Sequence, residues 1–316
     1  MTNSSAKSAT AFAPASVGNV AVGFDVLGHS VQAIGDRVTA RRIAEPIVRI
    51  AAITGLVKDL PLEPEKNTAG MAVLSIIRDQ KLDFGFELTI EKGIPLGSGL
   101  GGSAASAVAA VVAANALLPK PLDKLGMLKA AMHGEKVASG SVHVDNIAPS
   151  LYGGLVLTVG VDNPNVKQIP VPPSVRAVLV HPHMMLSTRE ARQILKRTVD
   201  LSDVIWQTAN ISGFITGCFT GDLHLIRESL LDVIIEPQRR VLIPGFDAVK
   251  KGAIDNGALG CSISGAGPTV FAWCEEPQAV AIRDAMVAAF AAVNLQSDSW
   301  ISTLDANGAR VESRDA

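Results

Sequence analysis

A mixed fold of strands and helices, long enough for two domains built around one ligand cleft, is what this sequence predicts. Three observations lead there. Strand-like and helical periodicities alternate along the 316 residues, three separate glycine-rich loops fall between them, and a Pro- and Asn-bearing segment from Asp162 to Pro173 interrupts the chain near its middle. A chain of this length buries a large core readily. With 48% hydrophobic but only 4% aromatic residues, that core must be built from Ala, Val, Ile and Leu. The net charge of -2 and the lack of a lysine/arginine block argue against nucleic acid or an anionic membrane as main partner. Cys218, Cys261 and Cys274 show no C-x-x-C spacing and read as reduced core thiols of a cytosolic protein. The longest apolar run, Ala104 to Leu118, is too short to span a bilayer. Met1 to Thr10 reads as a disordered tail.

The elements follow in order. A strand is expected at Ser8 to Ala13, then a turn-rich stretch to Ser30, and a second strand at Asp36 to Ile43. Ala69, Val73, Ile76 and Ile77 sit near helical spacing within Asn67 to Lys81. Phe84 to Glu91 alternates as a half-buried strand does. A buried helix runs from Ser103, another from Asp123 to Val137, and the loop SGSVHVDNIAPSLYGG, Ser139 to Gly154, leads to the strand Leu155 to Val161. The second half restarts with a strand at Arg176 to Val180 and a helix near Arg189 to Arg197. Helices are expected at Val204 to Cys218, Leu223 to Asp232 and Gly245 to Asn256. A strand, glycine turn and strand occupy Gly260 to Glu276, a helix Ala279 to Val293, and a closing hairpin Ser299 to Val311.

The most informative stretch is PLGSGLGGSAAS, Pro95 to Ser106, between a strand and a helix. Glycines there let backbone approach a ligand, and the first N–H groups of a helix lack intrahelical partners and favour anions. Gly97, Gly99 and Gly102 satisfy G-x-G-x-x-G, yet Asp123, at the spacing of a ribose-binding acid, has no strand before it. A Walker A loop would carry Lys before its Ser, and here Gly102 precedes Ser103. Backbone amides and the helix dipole, with a metal ion, must therefore do the work.

APASVGNVAVGFDVLG (Ala13 to Gly28), PLGSGLGGSAAS and GCSISGAGPTVFA (Gly260 to Ala272) resemble, in order and spacing, the three motifs of the GHMP small-molecule kinases. HVDNIAPSLYGG (His143 to Gly154), STREAR (Ser187 to Arg192) and EPQRRVLIPG (Glu236 to Gly245) resemble the branch that phosphorylates homoserine. The resemblance implies an α+β fold of two domains, residues 1–167 like ribosomal protein S5 and residues 168–316 ferredoxin-like. It implies transfer of the ATP γ-phosphoryl group to the hydroxyl of L-homoserine, for threonine synthesis, in a cytoplasmic enzyme that is a homodimer. By the same resemblance Pro95, Leu96, Gly97, Ser98, Gly99, Leu100, Gly101, Gly102, Ser103, Ala104 and Ala105 wrap the phosphates. Ser264, Gly265 and Gly267 close the site, and Ser103 and Glu135 hold Mg²⁺. Asn19, Asp25, His143, Asp145, Asn146, Arg189 and Arg239 line the substrate pocket, with Asn146 and Arg189 acting in catalysis.

The residue chemistry suits these expectations. Asp25 can pair with an ammonium, and Arg189 and Arg239 can fork onto a carboxylate or phosphate. Arg192 and Arg240 read as surface charges, and His181 and His183 as solvent-exposed. Mevalonate kinase and galactokinase are disfavoured, because Ser16 follows Pro14-Ala15 and Gly28-His29-Ser30 replaces their Gly-Glu-His. Asn146 stands where those relatives carry an aspartate base, which suggests catalysis by positioning and electrostatics. Two departures from the pattern are Gly102 for serine and Ala21-Val22 for Gly-Pro. The alternatives are a kinase for another small amino alcohol, or a silent scaffold, which would have no need of Ser103 and Glu135.

Overall fold

The computed structural model describes residues 6–139, 142–160, 163–304 and 307–315. Its first half opens with β1 (Ser8–Gly18), β2 (Leu27–Ile43), β3 (Val48–Gly55), α1 (Thr68–Gln80) and β4 (Gly85–Lys92). Then come α2 (Gly102–Asn115), α3 (Lys124–Ser139), α4 (Val144–Tyr152), β5 (Leu155–Val159) and β6 (Asn165–Ile169). The second half runs β7 (Val175–Pro182), α5 (Thr188–Gln193), α6 (Leu201–Thr220), α7 (Leu223–Ser229), α8 (Glu236–Arg239) and α9 (Phe246–Asp255). It ends β8 (Gly260–Ile263), β9 (Val270–Glu275), α10 (Ala279–Ala291), β10 (Ser297–Thr303) and β11 (Arg310–Asp315).

Two sheets result, giving the α+β architecture expected. The first has the order β11-β1-β2-β4-β3, with β5 on β2 and β6 on β5; the second is β10-β7-β9-β8. Every pairing is antiparallel except β3 with β4. Along β1, Ala9, Ala11, Ala13 and Ala15 occupy alternate positions and are wholly buried, so one face of the strand is a row of methyl groups. Such a face admits the alanine-rich α2 at close range. Ala104 to Ala114 of that helix are buried without interruption, as expected of a helix packed on every side.

Several expectations need correction. The stretch to Ser30 is strand at both ends and turn only between them: β1 continues to Gly18, and β2 starts at Leu27, with Gly18 opposite Gly28. Gly28 is there for close approach, since a Cβ would stand 1.8 Å from the Asp145 carbonyl oxygen. β3 and β6 were not expected, and the 167/168 boundary cuts through β6. The loop expected at 139–154 contains α4, disguised by its internal Pro149. The closing hairpin does not form: β10 pairs with β7, whereas β11 pairs with β1. Of the N-terminal tail, residues 8–10 are already strand, and 1–5 lie outside the described residues. The three cysteines are buried free thiols.

Candidate active site

A cleft of about 740 Å³ gathers all three glycine-rich loops. Gly97, Gly99 and Gly101 have φ of +63°, +76° and +65°, the left-handed region that glycine enters without strain. The turn delivers the N-terminus of α2 to the cleft, where its first N–H groups lack intrahelical partners. Loop three braces loop two from behind. The Ser264 hydroxyl donates to the Gly99 carbonyl at 2.8 Å, and the Thr269 amide donates to that of Ser98 at 3.1 Å. Loop one joins through the Gly265 amide on the Gly18 carbonyl and Asn19 Nδ2 on the Gly265 carbonyl.

This lacing predicts the effect of Gly99→Ala. A Cβ there would meet the carbonyl oxygens of Ser264 and Gly267 at 2.5 and 2.6 Å. A left-handed alanine alone costs about 1–3 kcal/mol, and the clash adds to it. The variant is expected to melt several degrees lower and to lose at least ~10-fold in ATP affinity, read by calorimetry and nucleotide titration.

The missing lysine of the loop has a counterpart before it. Lys92, at the end of β4, is buried and pairs with Asp36. It also donates to the Gly102 carbonyl and the Ser106 hydroxyl, each at 2.8 Å. Asp36 accepts further from Ser106 at 2.6 Å and from the Gly93 and Ile94 amides. With all three ammonium protons engaged, Lys92 anchors the loop's base. Its mark in the sequence is a lysine at the end of the strand, directly before Gly93-Ile94-Pro95.

Ser103, in the first turn of α2, and Glu135, in α3, come together as expected: the Ser103 hydroxyl donates to Glu135 Oε1 at 3.0 Å. Glu135 is 3% exposed, and its Oε2 is buried without a hydrogen-bond partner. An unsatisfied buried carboxylate oxygen beside a hydroxyl is a hard-oxygen donor set that fits Mg²⁺. His143 Nδ1 lies 3.4 Å from Glu135 Oε1. Burial opposes the charged imidazolium, but the carboxylates of Glu135 and Asp145 prevail and raise its pKa.

His143 caps α4, whose first turn presents Asp145 and Asn146. Asn146 Oδ1 accepts from the Ser16 hydroxyl at 3.1 Å. Asp145 is buried, and its Oδ2 accepts the Asn19 amide at 3.2 Å. Burial, reinforced by the charge of Asp25, pushes its pKa up to about 6. An acid whose folded pKa exceeds its unfolded value destabilises the fold above the folded pKa, and the penalty vanishes below the unfolded one. Asp145→Asn should therefore raise the melting temperature at pH 8 and leave it nearly unchanged at pH 4, while lowering activity. Melting curves at the two pH values check this.

Loop one carries strain. Asn19, Val20, Ala21 and Asp25 all have positive φ, a cost tolerated at sites that need a fixed geometry. Asn19 Oδ1 accepts the Asp25 amide at 3.0 Å. Asp25 accepts a two-pronged ion pair from Arg192, at 2.8 and 3.0 Å. Arg192, exposed as expected of a surface charge, nevertheless lines the cleft through this pair. Arg240 does lie on the surface, paired with Asp247. Arg239 is 3% exposed and donates to the Ala191 and Gly265 carbonyls. Among the described residues no carboxylate pairs with it. Burial foremost, and the charge of Arg192, bring its pKa down to about 10. Phe24 lies against both guanidinium groups, at 5.3 and 5.1 Å from its centroid, a contact that sequence reading missed.

Of the expected site residues, Leu100, Ala104, Ala105, Ser264 and Gly267 do not line the cleft; they are packing and bracing positions behind it. Arg189 lines it from the exposed side of α5. His181 is buried against the Thr269 hydroxyl, and His183 pairs with Asp298, so only His183 is exposed as expected.

A strained loop, a glycine turn at the N-terminus of α2 and a buried acid beside that terminus share one cleft, an arrangement that suits the class of small-molecule phosphotransferases. The family models described as GHMP kinases N terminal domain and GHMP kinases C terminal match residues 67–154 and 214–292. A homoserine kinase of Xylella fastidiosa (strain 9a5c) is 51% identical over 307 residues, 97% of this chain and 94% of that one. One of Chlorobium phaeobacteroides (strain BS1) is 44% identical over 318 residues, 96% of this chain and 99% of that one. The crystal structure of homoserine kinase from Cytophaga hutchinsonii superposes with a TM-score of 0.93 at 45% identity, covering 96% of this chain and 97% of that one. The crystal structure of L. major mevalonate kinase, at 16% identity and a TM-score of 0.67 over 92% of this chain and 95% of that one, shares the fold. The chain belongs to the homoserine kinase family of the GHMP kinases.

Proposed function

We propose that this enzyme transfers the γ-phosphoryl group of ATP to the hydroxyl of L-homoserine, giving O-phospho-L-homoserine for threonine synthesis in the cytoplasm. The observation that carries the reading is the convergence on one cleft of a phosphate cradle and a cluster suited to an amino acid. Asp25 offers charge to an ammonium, and Arg192 and Arg239 to a carboxylate or transferring phosphate. Ser103 and Glu135 would hold Mg²⁺, which would supply charge neutralisation at the phosphates.

Asn146, fixed by Ser16 and by the first turn of α4, orients the substrate hydroxyl. Its amide cannot act as a base, so the hydroxyl proton leaves to the transferred phosphate. A loose phosphoryl-transfer transition state demands little early deprotonation. Orientation alone supplies roughly 7–11 kcal/mol. Release of ADP measured against a panel of amino alcohols tests the reading: L-homoserine is expected to be preferred, and equal or better turnover of another alcohol would overturn it.

A further inference from the structure

Loop one carries a phenyl ring that packs in neither hydrophobic core. Phe24 is half-buried, stands outside both clusters of apolar side chains and is the one phenyl ring lining the cleft among the described residues. Its backbone is clasped on both sides. The Gly23 amide donates to the Asn19 carbonyl at 2.9 Å, and the Asp25 amide donates to Asn19 Oδ1 at 3.0 Å. The Leu27 amide closes the turn on the Gly23 carbonyl at 2.9 Å. A large apolar side chain fixed in the wall of a polar cleft belongs to the ligand's surroundings.

Two cations meet this ring. Arg192 of α5 and Arg239 of α8 bring their Cζ atoms to 5.3 and 5.1 Å from its centroid. The two helices are tied at the same point, since Arg239 Nε donates at 2.9 Å to the carbonyl of Ala191, the residue before Arg192. Like charges brought together repel each other. The repulsion is felt at Arg239, whose pKa is lowered by burial first and next by the charge of Arg192. Asp25 pairs with Arg192, in an ion pair whose two side chains are each 42% exposed. The negative face of the phenyl ring answers both guanidinium groups.

We propose that Phe24 is a positioning residue for carboxylate recognition: its ring keeps the Arg192 and Arg239 guanidinium groups beside each other, so that one substrate carboxylate accepts hydrogen bonds from both. The proposal rests on the homoserine kinase reading given above. Two planar forks on one carboxylate give stronger and more directional bonds than a single one, and holding them in place before the substrate arrives removes an ordering cost from binding. An amino alcohol without a carboxylate gains nothing from the arrangement. Phe24 thereby favours an amino acid over a simple amine, although its ring bears no charge. The plainer role is an apolar wall for the substrate's methylene groups. The two roles respond oppositely to fluorine, which makes a ring more apolar while draining negative charge from its face.

Replacement of Phe24 in the full chain by 3,5-difluorophenylalanine and 3,4,5-trifluorophenylalanine tests this with little change of shape. KM for L-homoserine is expected to rise at each step, to about tenfold with three fluorines, while KM for ATP and the melting temperature stay unchanged. Phe24→Leu, which keeps an apolar group and removes the ring, should raise the same KM at least as far. A KM for L-homoserine that is constant or falls along the fluorine series overturns the proposal. So does a Phe24→Leu enzyme with wild-type KM, or an equal rise in KM for ATP. The reading beneath it fails separately: a wild type that does not turn over L-homoserine overturns that reading, whereas a flat series in an enzyme that does so overturns only the role of Phe24.

Discussion

Glu135→Gln is expected to lower kcat/KM by about 10³-fold, with excess Mg²⁺ restoring only part of it. The side chain fills the same space and still accepts from Ser103, so packing is preserved. What is lost is a buried carboxylate whose second oxygen has no hydrogen-bond partner among the described residues. A metal ion contributes several kcal/mol to phosphoryl-group charge stabilisation, and a neutral amide binds it far less well. Stability should hold or rise slightly, because burying an amide costs less than burying a carboxylate. Steady-state kinetics across Mg²⁺ concentrations, with a melting curve, check both parts. Near-wild-type turnover would remove Glu135 from the metal site.

Arg239→Lys is expected to cost about 10²-fold in kcat/KM, roughly 3 kcal/mol. The guanidinium is sequestered from water, bonded to two backbone carbonyls and stacked near Phe24, yet no carboxylate neutralises it among the described residues. Its charge is therefore available to an anionic ligand. A lysine ammonium cannot hold the Ala191 and Gly265 carbonyls in the same fork while facing a ligand. The loss should appear mainly in KM for the amino-acid substrate if Arg239 binds its carboxylate, and mainly in kcat if it faces the transferring phosphate. Unchanged kinetics would place Arg239 outside the site.

The glycine cradle was legible because its backbone requirements leave a mark in sequence, whereas Ser103, Glu135 and Asp25 were reached through the resemblance of their motifs to the GHMP kinases. Positive φ demands glycine, and a free helix terminus demands a loop before it. The partner of Asp25 was not legible. Arg189 and Arg192 lie three residues apart on one short helix, and only the position of α5 against loop one decides which of them reaches the acid. Lys92 and Asp36 are 56 residues apart and meet through sheet pairing. The fold showed the same division: Pro149 hid α4, and the glycines at 18 and 28, read as turn residues, serve close packing inside paired strands.

The return of β11 to β1 has a consequence for how the chain acquires its structure. Ser8 and Asp315 face each other across the ladder, separated by 307 positions in sequence. The border of the sheet that supports the phosphate cradle therefore closes only after residues 310–315 have been made, and its closure is a contact of very high order. A nascent polypeptide would leave the ribosome with β1 still unpaired on that side, an edge open to wrong partners. Release of residues 310–315 is the event that seals it.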